Sequence, residues 1–522
     1  MSFSDFQTRV AALSPAERRS PRLVPVWRDV LLDAETPVAA FAKLRHGPFA
    51  FLLESAPAGG ETWARYTFMG TAPRAAWRLA NGTVHDWTAE CGWHNERRPA
   101  DPLADLEALL CAAEPVQVPE LAGFWGGGVG FFGYDVARVI ERLPAPPSRG
   151  LDVPDALFVF PEALVIFDNL RSQARVVVGV TVTSAMDEAA LRALHDRAER
   201  EIDGVIARLR GPGKLEPLEL DPKAPAAEGT SEYDRDQFLK DVERVRQYII
   251  AGDAFQVQVA RRIDVPFDFS SETLYRALRV INPSPYMYHL VLDGVEIVGS
   301  SPELLVRVDA GRVTVRPIAG TRRRGRSAED DERMMEELRN DEKERAEHFM
   351  LVDLGRNDVG RIASYGSVQV PELMVVERYS HVLHLVSEVT GALRPELNAM
   401  DAFRACFPAG TLTGAPKVRA MEIIDEMEPV RRGPYGGAIG YIAAGAQRMD
   451  LAITIRTCVI ANGVASVQSA AGVVYDSVPD REFLEHQNKA RALLTAIGQA
   501  RAAGAAGTTH RTTDRALPTA RA

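Results

Sequence analysis

Three acidic residues give the first indication of chemistry. Glu303 closes Ser300-Ser-Pro-Glu303, Glu347 lies on a predicted helix running to Asp353, and Glu485 lies on the final predicted helix. A lone carboxylate in such a position is normally solvated charge. Here, however, Glu347 immediately precedes the apolar run Phe349-Met-Leu-Val352, and Glu485 shares a helix face with Lys489 at i,i+4. Two carboxylates on separate helices, aimed at one cleft, suit Mg²⁺, a hard cation that keeps several waters and takes oxygens from its substrate.

The elements that must position these groups follow from periodicity. Residues 20–180 hold short apolar runs broken by Gly and Pro, such as Phe49 to Leu53 and Leu164 to Phe167, which predict strands of a mixed α+β module. Residues 186–208 carry Leu191, Leu194, Ile202 and Val205 at helical spacing. The Pro- and Ala-rich stretch 209–230 predicts a linker. A second module, 231–500, opens with Ser231 and Asp234 in capping-box spacing and a helix with Phe238, Val242, Val245 and Ile249 facing a core, ending near Gly252. Two hairpins, one turning at Asp309-Ala-Gly311 and one at Asn462-Gly463, predict a largely antiparallel sheet. Residues 501–522 have no apolar period and predict a disordered tail.

Two motifs look like nucleotide sites and are not. Gly128-Val-Gly130-Phe-Phe-Gly133 fits GxGxxG, yet Gly126 and Gly127 stand where a β-branched strand is needed, and Pro144 cuts short any crossover helix. Gly410-Thr-Leu-Thr-Gly414-Ala-Pro-Lys417 lacks the spacing of a phosphate loop and the Ser or Thr after its Lys. Pro416 fits the first turn of a following helix, whose N-terminus could at most receive a small anion.

Composition narrows the class. With 46% hydrophobic and 25% charged residues over 522 positions, the chain is a globular protein of more than one ordinary core. A net charge of −10 argues against a nucleic-acid partner, and the one basic cluster, Arg322 to Arg326, is answered by Glu329 to Glu332 and predicts a solvated loop. Cys91, Cys111, Cys406 and Cys458 lie far apart, which excludes a disulfide scaffold and a zinc ribbon and fits a reducing cytoplasm. No secretory or membrane-spanning segment is predicted.

Five longer segments carry a family resemblance: Arg316-Pro-Ile-Ala-Gly-Thr-Arg322, Glu347 to Asp358, Tyr379-Ser-His-Val-Leu-His-Leu385, Gly410 to Lys417, and Gly433-Pro-Tyr-Gly-Gly437. Together they resemble the chorismate-utilising enzymes, and specifically the anthranilate synthase component I family, over nearly the whole chain. The resemblance implies a large α/β/β/α sandwich with two mostly antiparallel sheets, helices outside and chorismate between the sheets. It assigns Mg²⁺ to Glu347 and Glu485, in agreement with the carboxylate pairing above. It places substrate contacts at Gly320, Thr321, Tyr435, Arg456, Ala470, Ala471, Gly472 and Lys489. Glu303 resembles the acid that assists departure of the C4 hydroxyl when ammonia adds at C2. Thr411 joins it as a catalytic position, and the family's base, which removes the C2 proton as pyruvate leaves, falls on His384 rather than His381.

Related activities are separated by single positions. Isochorismate and salicylate synthases activate water with a lysine that aligns at Gln256, and aminodeoxychorismate synthases commonly carry a lysine where this chain has Ala319. Ammonia as nucleophile and anthranilate as product are therefore expected, with aminodeoxychorismate the alternative. The resemblance extends to a tryptophan-binding site in the first module, with Ser55, Pro285, Tyr286 and Met287 as contacts, so feedback inhibition is expected, and a silent tryptophan sensor is the reading from another class. No Cys in a Gly-rich elbow with a paired His is present, so a separate glutamine amidotransferase subunit is the expected partner.

Overall fold

The computed structural model describes residues 1–14, 17–55, 65–121, 123–379 and 382–513, the side chains of 18 and 505–513 excepted. Its architecture starts from strands that are apolar on both faces. In Phe49–Glu54, Ala50 and Leu52 pack in a core beneath helices, whereas Phe49 and Phe51 turn to the opposite face and pack with Tyr288, Leu290 and Ile297. Successive side chains on a strand point to opposite faces, so a strand with layers on both sides reads as an unbroken apolar run.

Two sheets result. One runs through neighbouring strands Arg22–Leu31, Gln173–Val182, Ala156–Asp168, Tyr66–Ala80, Phe49–Glu54, Tyr286–Leu292, Val295–Ser301, Thr457–Ala461, Val464–Val473 and Gln256–Pro266. The other runs from Gly127–Phe132 through Ala438–Ala443, Met449–Ile453, Leu304–Asp309 and Arg312–Val315 to Val382–Ala392, which is flanked by Ile318–Arg323 and Gln369–Arg378. The long strands Tyr66–Ala80 and Ala156–Asp168 pair along their length and enter both sheets, with a register shift between Pro73 and Ala75. Such an irregularity bends a strand, and Pro73 donates no ladder hydrogen bond to resist it. All these pairings are antiparallel, and Arg22–Leu23 beside Glu114–Pro115 is parallel. Strands from the early and late parts of the chain thus share both sheets, joined where Phe49–Glu54 pairs with Tyr286–Leu292 and where Gly127–Phe132 pairs with Ala438–Ala443.

Helices Glu188–Leu209, Ser271–Ile281 and Pro479–Thr513 cover the first sheet, and Glu342–Gly360 and Ala399–Cys406 cover the second. This is the expected α+β sandwich. The last helix buries Ala490, Leu493, Ala496, Ile497 and Ala500, a stripe at steps of three and four. It then continues to Thr513, past the point where the sequence predicts disorder. The segment, with Gly504, Gly507 and several Thr beside its Ala residues, extends a helix already nucleated upstream, which avoids the cost of starting one. Residues 514–522 of that tail lie outside the described residues.

The turns and caps are local chemistry. Asn462 (φ 50°) and Gly463 (φ 76°) close the hairpin between Ala461 and Val464, as a type I′ turn demands. Asp234, rather than Ser231, caps the helix Arg235–Ile250 by accepting from Gln237 N, and Ser231 Oγ instead takes the Tyr233 amide. The stretch 209–230 lies along the final helix, with Ala227 N donating to Leu494 O at 2.8 Å. A Cβ on Gly498 would stand 2.0 Å from Pro225 O, so this contact needs a glycine.

Both motif decoys resolve structurally. Gly130 lies in the strand Gly127–Phe132, where a Cβ would meet Leu157 O at 1.9 Å, so the glycines serve close strand packing. Lys417 Nζ is held by Asp358 Oδ2 at 2.8 Å and Cys406 O at 3.2 Å. The basic cluster meets the expectation in part: Arg324 bonds the nearby Asp331 at 2.8 Å, whereas Arg322 lies in the strand Ile318–Arg323 rather than a loop and bonds Asp341 at 2.6 Å and Glu344 at 2.9 Å, at the start of the helix Glu342–Gly360. Among the described residues no helix is long and apolar enough to cross a membrane.

Candidate active site

The predicted residues converge on one cleft. His384 lies in the strand Val382–Ala392 directly opposite Thr321, beyond a register shift between Ala319 and Thr321. Gly320 occupies that irregularity with φ +69°, and its carbonyl accepts from His384 Nδ1 at 3.0 Å. Because a carbonyl only accepts, Nδ1 carries the proton and the neutral ring's lone pair is on Nε2. Thr321 Oγ1 lies 3.2 Å from the same Nδ1. Burial, with the positive charges of Arg456 and Lys489, pushes His384 down to about 4, so the ring is neutral at pH 7.

Glu303 follows Pro302 at the end of the strand Val295–Ser301 and is buried. Burial pushes its carboxyl up to about 7, against the lowering influence of Thr411, the Ile318 amide, Arg456 and Lys489. It is poised between acid and carboxylate at neutral pH. The Thr411 hydroxyl, on the short helix Gly410–Thr413, lies near enough to lower the Glu303 carboxyl and makes no hydrogen bond among the described residues.

Arg456 (φ 50°) follows the strand Met449–Ile453, and no carboxylate among the described residues pairs with it. Burial lowers its pKa, opposed by nearby Tyr435 and Glu303. An enclosed guanidinium without an anion is costly unless a ligand supplies one. Tyr435 is buried next to it, close to the backbone at Ala470. Ala470, Ala471 and Gly472 belong to the strand Val464–Val473, paired with Ala260, Val259 and Gln258. A Cβ on Gly472 would crowd the side-chain amides of Gln258 and Gln256 at 2.7 and 2.9 Å.

The acidic side of the cleft is built from two helices. Lys489 Nζ bonds Ala470 O at 2.9 Å and Glu485 Oε1 at 2.7 Å. Glu347 accepts from Gln256 Nε2 at 2.7 Å, and burial together with the charges of Glu344 and Glu485 raises its pKa. Carboxylates that repel one another while half-enclosed fit a divalent cation. Among the described residues no three His, Cys, Asp or Glu side chains form a metal cage. Sequence reasoning weighed Gln256 for the lysine it replaces and missed its bond to Glu347. His381 lies outside the described residues.

A second site lies behind the first. A cavity of about 310 Å³ is lined by Ser55, Pro285, Tyr286 and Met287, by the aromatic rings of Tyr66, Phe68, Phe124 and Tyr441, and by Glu54 and Arg307. Glu54 is fixed by Arg279 at 2.7 Å and Tyr275 at 2.8 Å. Pro302, Leu304 and Ile318 also line it, so it touches the residues flanking Glu303 and Gly320.

An acid, a neutral base, an unpaired guanidinium and a carboxylate-lined edge between two sheets define an enzyme for an anionic small molecule. The chain belongs to the family of chorismate binding enzymes, which it matches over residues 50–495. Within that family its similarity is to anthranilate synthase component 1: it is 45% identical to that of Bacillus caldotenax over 494 residues, 93% of this chain and 96% of the relative. The protein of Pseudomonas putida is 45% identical over 486 residues, 91% of this chain and 96% of the relative. The crystal structure of anthranilate synthase component I from Streptococcus pneumoniae TIGR4 superimposes with a TM-score of 0.71 at 35% identity, covering 90% of this chain and 99% of that one. MenF, the menaquinone-specific isochorismate synthase of Escherichia coli, shares the fold at a TM-score of 0.65 and 18% identity, covering 95% of this chain and 98% of that one.

Proposed function

We propose that this chain is the aminating component of an anthranilate synthase, converting chorismate and ammonia to anthranilate, pyruvate and water. The observation that carries the reading is the unpaired Arg456 guanidinium beside Glu303 and His384: an anion clamp with an acid and a base at hand. Arg456 and Tyr435 would hold a substrate carboxylate, and the amides of Ala470 to Gly472 and the Gly320 to Thr321 turn would frame the ring. Glu347 and Glu485 would hold Mg²⁺, which supplies positive charge to a second carboxylate. Ammonia adds at C2 while protonated Glu303, with Thr411 beside it, gives its proton to the departing C4 hydroxyl. His384 Nε2 then takes the C2 proton as the bond from ring C3 to the enolpyruvyl oxygen breaks, and the released enolpyruvate takes up a proton at its methylene carbon to become pyruvate. Both relatives are by name component 1 of a larger assembly, and a glutamine amidotransferase subunit is the partner that would supply ammonia.

The test is product identification by fluorescence and mass spectrometry from the purified chain with chorismate, Mg²⁺ and ammonium chloride at alkaline pH. Anthranilate that vanishes with chelator is expected. Aminodeoxychorismate or isochorismate as the product would overturn the reading while leaving the fold and the cation site in place.

The cavity behind Glu303 supports feedback control by tryptophan. Its aromatic walls suit an indole, and Glu54 and Arg307, held by Arg279 and Asp450, bring both signs of charge to its lining. An occupant would press on Pro302, Leu304 and Ile318, displacing the residues that flank Glu303. Saturating tryptophan is expected to lower anthranilate formation at fixed chorismate, and Met287→Ala to weaken that inhibition. Full activity at saturating tryptophan would remove this part of the proposal.

A further inference from the structure

Packed against the backbone of the strand Gln256–Pro266 lies a buried ion pair that the chemistry above does not use. Arg432 and Glu428 are 2% and 4% exposed. Arg432 Nε and Nη2 reach Glu428 at 2.9 and 2.6 Å, and Glu428 Oε1 also accepts from Ala260 N at 2.8 Å. The remaining donors go to two distant carbonyls: Nη1 to Leu412 O at 2.6 Å and Nη2 to Gln258 O at 2.9 Å. The guanidinium lies over the Tyr134 ring at 4.5 Å and near the Tyr435 ring at 5.8 Å.

The Leu412, Gln258 and Ala260 contacts end one residue or one strand pairing from the proposed chemistry. Leu412 follows Thr411 in the short helix Gly410–Thr413, which has no side-chain cap of its own. Gln258 and Ala260 are the strand partners of Gly472 and Ala470. Tyr435 stands between Arg432 and Arg456. A planar fork bonded at fixed angles holds several groups in one geometry, which an ammonium on a flexible stem does not. A buried pair gives little net stability over apolar residues of the same volume, so its use lies elsewhere.

We propose that Arg432, clamped by Glu428, is a positioning residue that sets Thr411, Tyr435 and the Gln258–Ala260 backbone in register around the substrate. It touches no reacting atom. The inference rests on the amination reading of this site.

The test uses the full chain with Mg²⁺, chorismate and ammonium chloride, comparing wild type with Arg432→Lys and with the neutral pair Glu428→Gln/Arg432→Met. A fall in kcat of about tenfold to hundredfold with a cooperative melt is expected for both, the size that a displacement near 1 Å can produce. Because Arg432 acts partly through the Thr411 turn, Thr411→Val should cost much less in the Arg432→Lys background than in wild type. Unchanged kcat and KM in Arg432→Lys would overturn the inference, as would full additivity with Thr411→Val. Failure of both variants to fold cooperatively would equally overturn it, since the pair would then serve the fold itself. If wild type makes no anthranilate, the amination reading fails instead.

Discussion

His384→Met is expected to lower anthranilate formation by about 10²–10⁴-fold, the usual worth of a positioned general base, while amination of chorismate continues. The expectation follows from the tautomer. With Nδ1–H given to the Gly320 carbonyl, Nε2 is the basic atom, and the neighbouring Tyr379 ring, edge-on at 5.2 Å, restrains the imidazole plane. A ring pushed down to about 4 is a weak base in the empty site, but part of that depression comes from Arg456 and Lys489. A substrate carboxylate at Arg456 offsets that charge, so His384 becomes more basic when its proton is to be taken. Met fills comparable volume without accepting a proton. Mass spectrometry of the reaction mixture should show an aminated, pyruvate-retaining intermediate of the same mass as chorismate plus ammonia less water. Anthranilate at the wild-type rate would remove His384 from the mechanism, and loss of amination as well would place it in substrate binding instead. Since the free ring is neutral well above its depressed pKa, no acidic limb from His384 is expected in kcat/KM above about pH 5.

Much of this site was legible because its groups sit on elements with strong local signals. Glu347 precedes an apolar helix run, Glu485 and Lys489 are one turn apart, and the pair does form, at 2.7 Å. The hairpin at Asn462-Gly463, which delivers Ala470 to Gly472, follows from two residues that tolerate positive φ. What the chain order hid is pairing at a distance. Strands Tyr66–Ala80 and Ala156–Asp168 read as ordinary apolar runs, and nothing in their period says that each enters two sheets. The bond from Gln256 to Glu347 joins a strand to a helix 91 residues on, and the Arg432 fork reaches Gln258 across 174. The i,i+4 spacing of Glu428 and Arg432 was a usable signal for that pair, but it marks charge spacing alike on a solvated face and in a core. Arg322 shows the converse: Arg324 does take its neighbour Asp331, but the strand turns Arg322 toward Glu337, Asp341 and Glu344 farther along the chain.

Glu303→Gln should cost about 10²–10⁴-fold in the amination step and leave little aminated intermediate, the opposite pattern to His384→Met. The carboxyl is buried, and burial is what holds it up to about 7. A general acid works in its protonated form, so the wild-type rate, expressed per unprotonated ammonia present, should fall as pH rises through that value. The bound substrate carries further negative charge, which disfavours ionisation of Glu303 and moves the limb in the complex to higher pH than in the free enzyme. The shift should therefore appear as a higher alkaline pKa in kcat than in kcat/KM, and both limbs should be missing from the slow turnover of Glu303→Gln. Glutamine keeps the size and one donor, so chorismate should still bind with KM changed by less than about fivefold, because Arg456 and Tyr435 remain. A Glu303→Gln enzyme with wild-type kcat would mean that the hydroxyl leaves without this acid. The same alkaline limb in that variant would assign the titration to another group in the cleft.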